Sequence, residues 1–197
     1  MPKLVDFDER RSELAEAAAH LIARAGIGAA TMRDVAAEAG WTTGALTHYF
    51  TDKRDLLLCT FQASLERRRA ARAAGDHLEP LAQLTASLEG ALPLDEDRRR
   101  HWMVTIAFCA QATGDLDLAA AQRDAYREFR DHVISLVKEC GFARGRAAET
   151  LAERLIAAAD GIAVQALFDP ELWPPTHQLA TLRGALAPLL TTPEGAG

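Results

Sequence analysis

The stretch TMRDVAAEAGWTTGALTHYF, residues 31–50, constrains the fold of this chain more than any other segment. Thr31 with Asp34 three residues later predicts a capped helix start. A threonine hydroxyl at this position accepts a hydrogen bond from an early backbone N–H group, and the carboxylate reaches back to the cap. Gly40 predicts the left-handed residue that ends this helix. We therefore expect a short helix over residues 31–40, followed by a tight turn.

The residues after Gly40 predict a second short helix that runs to Phe50. A threonine at position 42 or 43 can cap its start. Leu46 and Phe50 are four residues apart and are expected to face inward, which leaves Thr47 and His48 facing outward with Thr43. Two such helices form a helix-turn-helix, and the outward face of its second helix is the usual reader of the DNA major groove. The sequence therefore predicts double-stranded DNA as a partner.

Composition and periodicity favour an all-α fold of about nine helices. The chain has 197 residues, of which 49% are hydrophobic and 25% charged, and this balance is typical of globular proteins. Alanine and leucine dominate, and strand-like alternation is absent. No apolar run approaches the ~20 residues that cross a bilayer, and the N-terminus lacks a secretory pattern, so we expect a cytoplasmic protein without a membrane partner. The helices are predicted over residues 8–25, 31–40, 42–50, 53–74, 80–92, 95–113, 116–140, 147–168 and 178–190.

The charge balance does not by itself predict a DNA-binding protein. The formal net charge is −6, and the first 55 residues hold seven Lys or Arg against nine Asp or Glu, which leaves −2. Such a module can still bind DNA through hydroxyl groups, helix N-termini and a few well-placed cations. We therefore expect only modest affinity for nonspecific DNA, because that affinity depends on the number of phosphates neutralised.

The segment from Arg11 to Leu58 resembles the DNA-binding signature of the TetR family of transcriptional regulators. A leading amphipathic helix precedes T-x-R-D-V-A-x-E-A-G, then G-A-L-x-H-Y-F and D-K-R-D-L-L. The resemblance implies an N-terminal three-helix DNA-binding domain, which we place at residues 1–52, and a C-terminal helical ligand-binding and dimerisation domain at 53–197. It implies phosphate contacts by Thr31, Thr42, His48, Tyr49 and Lys53, base-edge contacts by Thr43, Gly44 and Thr47, and a base or phosphate contact by Arg33.

Two features near this signature each allow two interpretations. Trp41 stands where the family usually has a small aliphatic residue, and it can pack against the first helix or lie near the DNA backbone. We expect it to pack against the helix. The arginine-rich segment 66–72 is either a phosphate-contacting patch or a solvated helix face, and we expect a solvated face.

The C-terminal half resembles, more loosely, the regulatory domain of the BetI-like branch of the same family. The likeness lies in D-G-I-A-x-Q-A-L-F-D-P at residues 160–170 and in the leucine-spaced final helix. In that branch the last two helices of each subunit form a four-helix dimer bundle. The small residues of segment 157–163 suit either a dimer contact or packing within one chain. The candidate interface residues are Leu155, Ala158, Ala159, Ile162, Ala166, Leu179, Leu182, Leu186 and Leu189.

The family resemblance also implies an effector pocket inside the regulatory helices. Aromatic and aliphatic side chains at helical spacing are its candidate lining, although each of them can equally belong to the hydrophobic core. As a set they favour a small apolar or aromatic ligand over a charged one. The candidates are Trp102, Ile106, Phe108, Cys109, Tyr126, Phe129, Phe168 and Trp173, with His101 or Gln165 as polar anchors.

The sequence predicts neither a metal nor a cofactor. Cys59, Cys109 and Cys140 are widely spaced and are expected to be reduced thiols. His101–Cys109 and His132–Cys140 share a spacing of eight residues, but two turns of helix separate each pair by about 12 Å, too far to share a zinc ion.

The sequence motifs do not support the hypothesis that this protein is an enzyme. The chain has no nucleophile elbow, no phosphate-binding glycine loop and no H-E-x-x-H. The resemblance instead implies a homodimeric repressor, released from a palindromic operator by a small-molecule effector. A DNA-binding regulator that responds to no small molecule is the alternative.

Overall fold

The computed structural model describes residues 7–28 and 30–190, without the side chains of Leu189 and Leu190. Within these ranges the chain forms nine α-helices and no strand, so the predicted all-α fold is confirmed. None of the helices in this part of the chain is both long and apolar enough to cross a membrane. In chain order they are α1 (Phe7–Ala25), α2 (Met32–Glu38), α3 (Thr43–Leu46), α4 (Lys53–Ala73), α5 (Pro80–Gly90), α6 (Glu96–Ala112), α7 (Leu116–Glu139), α8 (Gly145–Phe168) and α9 (Pro175–Leu190).

Aspartate caps fix the starts of three helices. The Asp52 carboxylate accepts a hydrogen bond from the N–H group of Asp55 at 2.8 Å at the start of α4. Asp95 accepts from the third residue of α6 at 2.8 Å, and Asp115 accepts from Leu118 at 3.1 Å at the start of α7. Each carboxylate satisfies a backbone donor that has no partner inside its helix. The predicted starts at these positions are confirmed.

Two helix boundaries differ from the prediction by three residues or more. Helix α3 ends at Leu46 and not at Phe50. After Leu46 the backbone forms hydrogen bonds between residues three apart, as in a 3₁₀-helix; the Tyr49 N–H group, for example, donates to the Leu46 carbonyl at 2.9 Å. Helix α9 begins at Pro175 and not at Gln178. A proline fits the first helical position, since its fixed φ suits a helix and its missing N–H group would have no partner there.

The chain divides into two compact units. Residues 1–67 and 100–122 form the first, and residues 68–99 and 123–197 form the second. In the first unit the rings of Phe61 and Phe108 are fully buried and stack with centroids 4.0 Å apart. Glu16 on α1 accepts hydrogen bonds from Arg67 and Arg100, which tie α1 to α4 and α6. The second half of α6 thus packs with the helix-turn-helix residues in one unit.

The second unit has its own hydrophobic core, built by α5, α7, α8 and α9. A part-buried polar pair accompanies it, in which Ser87 Oγ and His132 Nε2 lie 2.8 Å apart. Burial, followed by the nearby Arg72 guanidinium, lowers the pKa of His132. The core side chains include Leu84, Leu88, Val133, Val137, Ala152, Leu155, Ala159, Ile162, Leu182 and Leu186.

Arginines on the second half of α4 form ion pairs with carboxylates from other helices, and Arg67 and Arg69 stay partly exposed. Arg67 pairs with Glu16 in the first unit, while Arg69 and Arg72 both pair with Glu128 in the second. Sequence alone could not predict these partners, because Glu16 and Glu128 are distant along the chain. Most of this run is therefore committed to ion pairs within the protein.

Candidate nucleic-acid interface

The turn between α2 and α3 has a defined hydrogen-bond pattern. Gly40 has a φ of +73°, in the left-handed region that favours glycine. Its N–H group donates to the Ala37 carbonyl at 3.1 Å, and the Trp41 N–H group donates to the Ala36 carbonyl at 2.7 Å. This pair of bonds is a Schellman motif, which satisfies two carbonyls at the end of α2. The predicted helix stop at Gly40 is confirmed.

Threonine caps begin both helices of the motif. Thr31 Oγ1 accepts from the Asp34 N–H group at 3.2 Å and donates to the Asp34 carboxylate at 2.5 Å. Thr42 Oγ1 accepts from the Ala45 N–H group at 3.2 Å, which selects Thr42 over Thr43 as the cap of α3. Because Thr42 caps α3, the hydroxyl of the exposed Thr43 is not used as a helix cap.

Helix α3 and the turn after it present a small polar surface. Thr43, Gly44, Thr47 and His48 are all exposed, whereas Leu46 is fully buried beneath them. Thr47 Oγ1 donates to the Gly44 carbonyl at 2.8 Å, which leaves its oxygen lone pairs and methyl group for a partner. Threonine hydroxyls can bond either kind of base edge, and their methyl groups can touch thymine methyls. This surface has the chemistry of a base-contacting site with a loose code.

Trp41 packs against the first helix, as expected. Its ring meets Tyr49 edge-on with centroids 5.4 Å apart, and the Arg10 guanidinium of α1 lies 5.4 Å above it. Phe7 also stacks on Tyr49, with ring centroids 5.0 Å apart. Tyr49 is half-buried, and these two aromatic neighbours fix the end of the segment that follows α3.

Arg11 is a structural residue of this site that the sequence patterns did not reveal. Its guanidinium donates to the backbone carbonyl of Tyr49 and to the Asp55 carboxylate at 2.9 Å, and it lies 4.4 Å from the centre of the Phe50 ring. Burial acts to raise the pKa of Asp55, but hydrogen bonds from Arg11 and the Thr51 backbone outweigh it and lower that pKa. One side chain of α1 thus fastens the chain between α3 and α4. Sequence patterns did not predict these contacts, because Tyr49 and Asp55 lie 38 and 44 residues from Arg11.

The candidate phosphate-contacting residues at α2 and α4 differ in their hydrogen bonds and ion pairs within the protein. Arg33 is widely exposed, and its closest carboxylate, Asp34, lies 3.9 Å away. Lys53 Nζ donates to the Ile27 carbonyl at 2.9 Å, so it steadies the α1–α2 loop while its side chain stays exposed. Thr31 is exposed beside Asp34. Arg33 is therefore the cation of α2 best placed to meet an anionic ligand.

A second ion-pair cluster joins α4 to the turn before α7 inside the first unit. Arg54 donates to Asp115 at 2.5 and 3.1 Å and to Asp117 at 2.6 Å. The Arg54 hydrogen bonds, followed by the Leu118 N–H group, lower the pKa of Asp115 to about 2. Arg54 follows the helix-turn-helix directly, so the cluster links that motif to the α6–α7 turn.

The pocket candidates fall into both compact units. In the first, Phe108 is buried against Phe61, and His101 Nδ1 lies 2.7 Å from Ser64 Oγ; Trp102, Ile106 and Cys109 belong to the same unit. In the second, Phe168 exposes 77% and Tyr126 43% of its surface, so neither is enclosed in this unit. Gln165 is exposed too, while Trp173 stacks on His177 at 4.6 Å. Phe129 and Trp173 both pack against the second core, and the Arg72 guanidinium lies 5.4 Å above the Phe129 ring.

Most of the candidate interface side chains point into the chain's own core. The two helices that carry them, α8 and α9, pack against each other within the second unit. Ala158 and Leu179 are half-buried, and the Leu189 side chain lies outside the described residues. A different stripe of α8 is exposed, formed by Ala157, Gly161, Val164 and Phe168. The buried candidates are Leu155, Ala159, Ile162, Ala166, Leu182 and Leu186.

The fold and this surface define an all-helical regulator with a DNA-binding helix-turn-helix. Comparison with known families agrees: the bacterial regulatory proteins of the tetR family match residues 14–59, and the C-terminal region of BetI-type transcriptional repressors matches residues 80–191. The chain belongs to the TetR family of transcriptional regulators, which are not enzymes. The resemblances stated for both halves of the sequence are confirmed.

Relatives and solved structures of similar sequence cover nearly the whole chain. The HTH-type transcriptional regulator PksA of Bacillus subtilis (strain 168) is 32% identical over 173 residues, which cover 86% of this chain and 84% of PksA. BetI of Burkholderia mallei (strain NCTC 10229) is 31% identical over 194 residues, or 95% and 87% of the two chains. A transcriptional regulator from Rhodococcus sp. Rha1 superposes with a TM-score of 0.85 at 27% identity, over 95% of this chain and 99% of its own. A regulator from Saccharomonospora viridis in complex with choline gives 0.83 at 24% identity, over 91% and 96%.

Proposed function

We propose that this protein is a homodimeric transcriptional repressor that binds a palindromic operator and leaves it when a small-molecule effector binds. Residues 1–52 would bind DNA and residues 53–197 would dimerise and receive the effector. In a dimer, two recognition segments about one DNA turn apart, roughly 34–36 Å, can each read half of a palindrome. The match of residues 80–191 to BetI-type repressors supports the sign of regulation.

The exposed surface of α3 carries the DNA-binding part of this proposal. The Schellman turn, the Thr42 cap and the Arg11 contacts hold its backbone from both ends, while Thr43 and Thr47 face outward. For the effector to release DNA, it must bind more tightly to a conformation of the protein that has low affinity for DNA. Phosphate contacts by Thr31, Arg33 and Lys53 would set the register without reading sequence.

Thr47→Ala is expected to weaken binding to the operator by roughly tenfold, because it removes a hydroxyl and a methyl from the base-contacting surface. The operator is first obtained by selection from random duplex DNA with the full-length protein. Affinity is then measured by fluorescence anisotropy at fixed salt. Thr113→Ala is the matched control, since Thr113 is exposed and also donates to a carbonyl three residues earlier at 2.8 Å.

The two threonine variants distinguish base contact from helix-end chemistry. Thr113→Ala should bind the operator as the unmodified protein does. Equal affinity of Thr47→Ala and unmodified protein for the operator would contradict the assignment of Thr47. Failure to enrich any duplex with a folded dimer would contradict the proposed function itself.

The dimer contact is proposed on the exposed stripe of α8, not on the buried leucines. Phe168 exposes 77% of its surface and Val164 36%, and Ala157 with Gly161 would let a second helix approach closely. A contiguous exposed apolar patch, such as this stripe, is a feature of interaction surfaces, whereas a single exposed apolar residue is not. Around a twofold axis each such residue is used twice.

Phe168→Gln is expected to raise the dimer dissociation constant by about 100-fold or more, because the loss of one buried aromatic ring counts in both protomers. Sedimentation velocity over a range of protein concentrations measures this constant. Leu116→Gln is the control, since Leu116 is 85% exposed on a helix outside the proposed contact. If Phe168→Gln changes the dimer dissociation constant no more than Leu116→Gln does, the proposed interface on α8 is wrong.

A further inference from the structure

Arg68, on the second half of α4, differs from the other half-buried arginines that the structure describes in the second unit. Its side chain is half-buried, and it makes no hydrogen bond or ion pair with any residue of the ranges 7–28 and 30–190. The glycine at the end of α5, Gly90, lies directly against it: a Cβ built there would come within 3.2 Å of the guanidinium. Glycine at position 90 thus leaves room for this cation to lie against the backbone.

Asp95, the carboxylate that acts on Arg68, and Glu128, which pairs with the next arginines of α4, are already paired with other arginines. Asp95 receives hydrogen bonds from Arg98 at 2.8 Å, and Glu128 from Arg69 and from Arg72 at 3.1 Å. Asp95 still attracts Arg68, but from beyond ion-pair distance. Burial, and then repulsion from Arg98 and Arg72, lower the pKa of Arg68 to about 10. This corner of the second unit therefore holds one desolvated positive charge without a counterion.

The C-terminal end of α5 compensates this charge only in part. A helix end carries the equivalent of about half a negative charge, and the effect fades within one turn. A half-buried guanidinium is costly unless a hydrogen-bonded anion meets it. The charge of Arg68 is therefore only partly compensated by the groups of the second unit that surround it.

The neighbourhood also offers an aromatic ring. Arg72, one helical turn from Arg68, lies 5.4 Å above the ring of Phe129. Phe129 in turn packs against the second core and lies 6.5 Å, ring to ring, from His132. A ligand anchored by its anion at Arg68 would lie about one turn along α4 from the Phe129 ring, which is half-buried and has the Arg72 guanidinium over it.

We propose that Arg68 binds the carboxylate of a small organic acid whose apolar body lies along the Arg72–Phe129 side, and that this acid is the effector. Its regulatory consequence rests on the proposed function. One free guanidinium matches one carboxylate, because its planar fork donates two parallel hydrogen bonds. The ligand is thus anionic, in contrast to the uncharged molecule that the aromatic candidates alone predicted.

Thermal unfolding of the full-length protein with benzoate, hexanoate or acetate tests the site. At about 10 mM, a millimolar ligand that binds only the folded state raises Tm measurably. We expect benzoate or hexanoate to stabilise the protein more than acetate does. In Arg68→Met the affinity should fall by about tenfold to a hundredfold, since a hydrogen-bonded charge pair is lost. Arg68→Lys should keep only part of it, and Arg183→Met, which removes an arginine paired with Glu89, should keep all of it.

A ligand-binding role and a purely structural role predict opposite effects without ligand. Since Arg68 has no counterion, Arg68→Met should leave the Tm of the free protein unchanged or higher. A lower Tm together with an unchanged response to the acids would overturn the proposal. So would a stabilisation by sodium sulfate at equal ionic strength that matches benzoate, because a carboxylate-specific site should prefer the organic acid.

Operator binding is measured in parallel on the same proteins. If the protein binds its selected duplex but no acid gives an Arg68-dependent shift, the carboxylate site is wrong and the proposed function stands. If no duplex is bound but the Arg68-dependent shift is present, the proposed function is wrong and the site stands. Release of the duplex by benzoate or hexanoate, lost in Arg68→Met, would support both.

Discussion

Phe61→Ala is expected to lower the free energy of unfolding by about 3–5 kcal/mol, the usual cost of removing a fully buried phenylalanine. Phe61 exposes only 1% of its surface, and its ring stacks on the fully buried ring of Phe108 at 4.0 Å. Truncation removes the transfer free energy of the ring and leaves a cavity under Phe108. Equilibrium unfolding in urea, followed by circular dichroism, measures the change.

The control for this cavity is an exposed apolar residue. Leu116→Ala removes a side chain that is 85% exposed, and we expect a change within about 0.5 kcal/mol. Phe108→Ala should resemble Phe61→Ala, and the double variant should cost less than the sum because the two rings share one contact. Equal unfolding free energies for Phe61→Ala and Leu116→Ala would contradict the stacked core.

The Phe61–Phe108 contact shows what the sequence could not predict about the first unit. Helical periodicity predicted α4 and α6. It did not say that α6 from residue 100 onward shares a compact unit with the helix-turn-helix. Phe108 was consequently a candidate for a pocket, whereas its ring is packed on Phe61. Pairing between distant segments depends on three-dimensional packing, which a period of 3.6 residues does not encode.

The local features of the DNA-binding site were predictable because each is decided within a few residues. Thr31 and Gly40 each act on backbone groups a few residues away, and both have the roles that their positions predicted. The length of α3 was not predictable from the sequence, because hydrogen bonds between residues three apart replace the α-helical pattern after Leu46. Thr47, which donates to the Gly44 carbonyl, is part of that competition.

Helix α8 shows a different limit. Its apolar residues lie on nearly all sides, so periodicity identified stripes of residues without deciding which stripe faces inward. The stripe of Leu155 and Ile162 is buried within the chain, and the stripe of Val164 and Phe168 is exposed. The small residues divide in the same way, with Ala159 buried and Gly161 exposed. Only the packing of α9 settles the choice.

Arg11→Met is expected to lower the free energy of unfolding by roughly 2 kcal/mol, because it leaves the half-buried Asp55 carboxylate without its cation. The stem of methionine keeps much of the contact with Phe50. Arg127→Met, which breaks an exposed pair between neighbouring turns of α7, should cost less than about 0.5 kcal/mol. Urea unfolding of both variants and of Arg11→Met/Asp55→Asn gives the coupling, and the double variant should recover part of the loss.

The pH dependence of stability gives a second sign of the same contact. Since the folded pKa of Asp55 is lowered, its contribution is present above the ordinary pKa of an aspartate and is lost as pH falls through the folded value. Arg11→Met should remove this contribution at neutral pH and so flatten the decline of stability on acidification. An undiminished decline would assign it to other carboxylates.

Operator binding should suffer more from Arg11→Met than stability does. Well below Tm the variant remains folded, yet the Tyr49 carbonyl and the start of α4 lose the donor that holds them against α1. A misplacement of the recognition segment affects every contact it makes, so we expect at least a tenfold loss of affinity for the selected duplex. If affinity is unchanged while stability falls, then α3 is positioned by its caps and by Leu46 alone, and Arg11 serves the fold without serving the site.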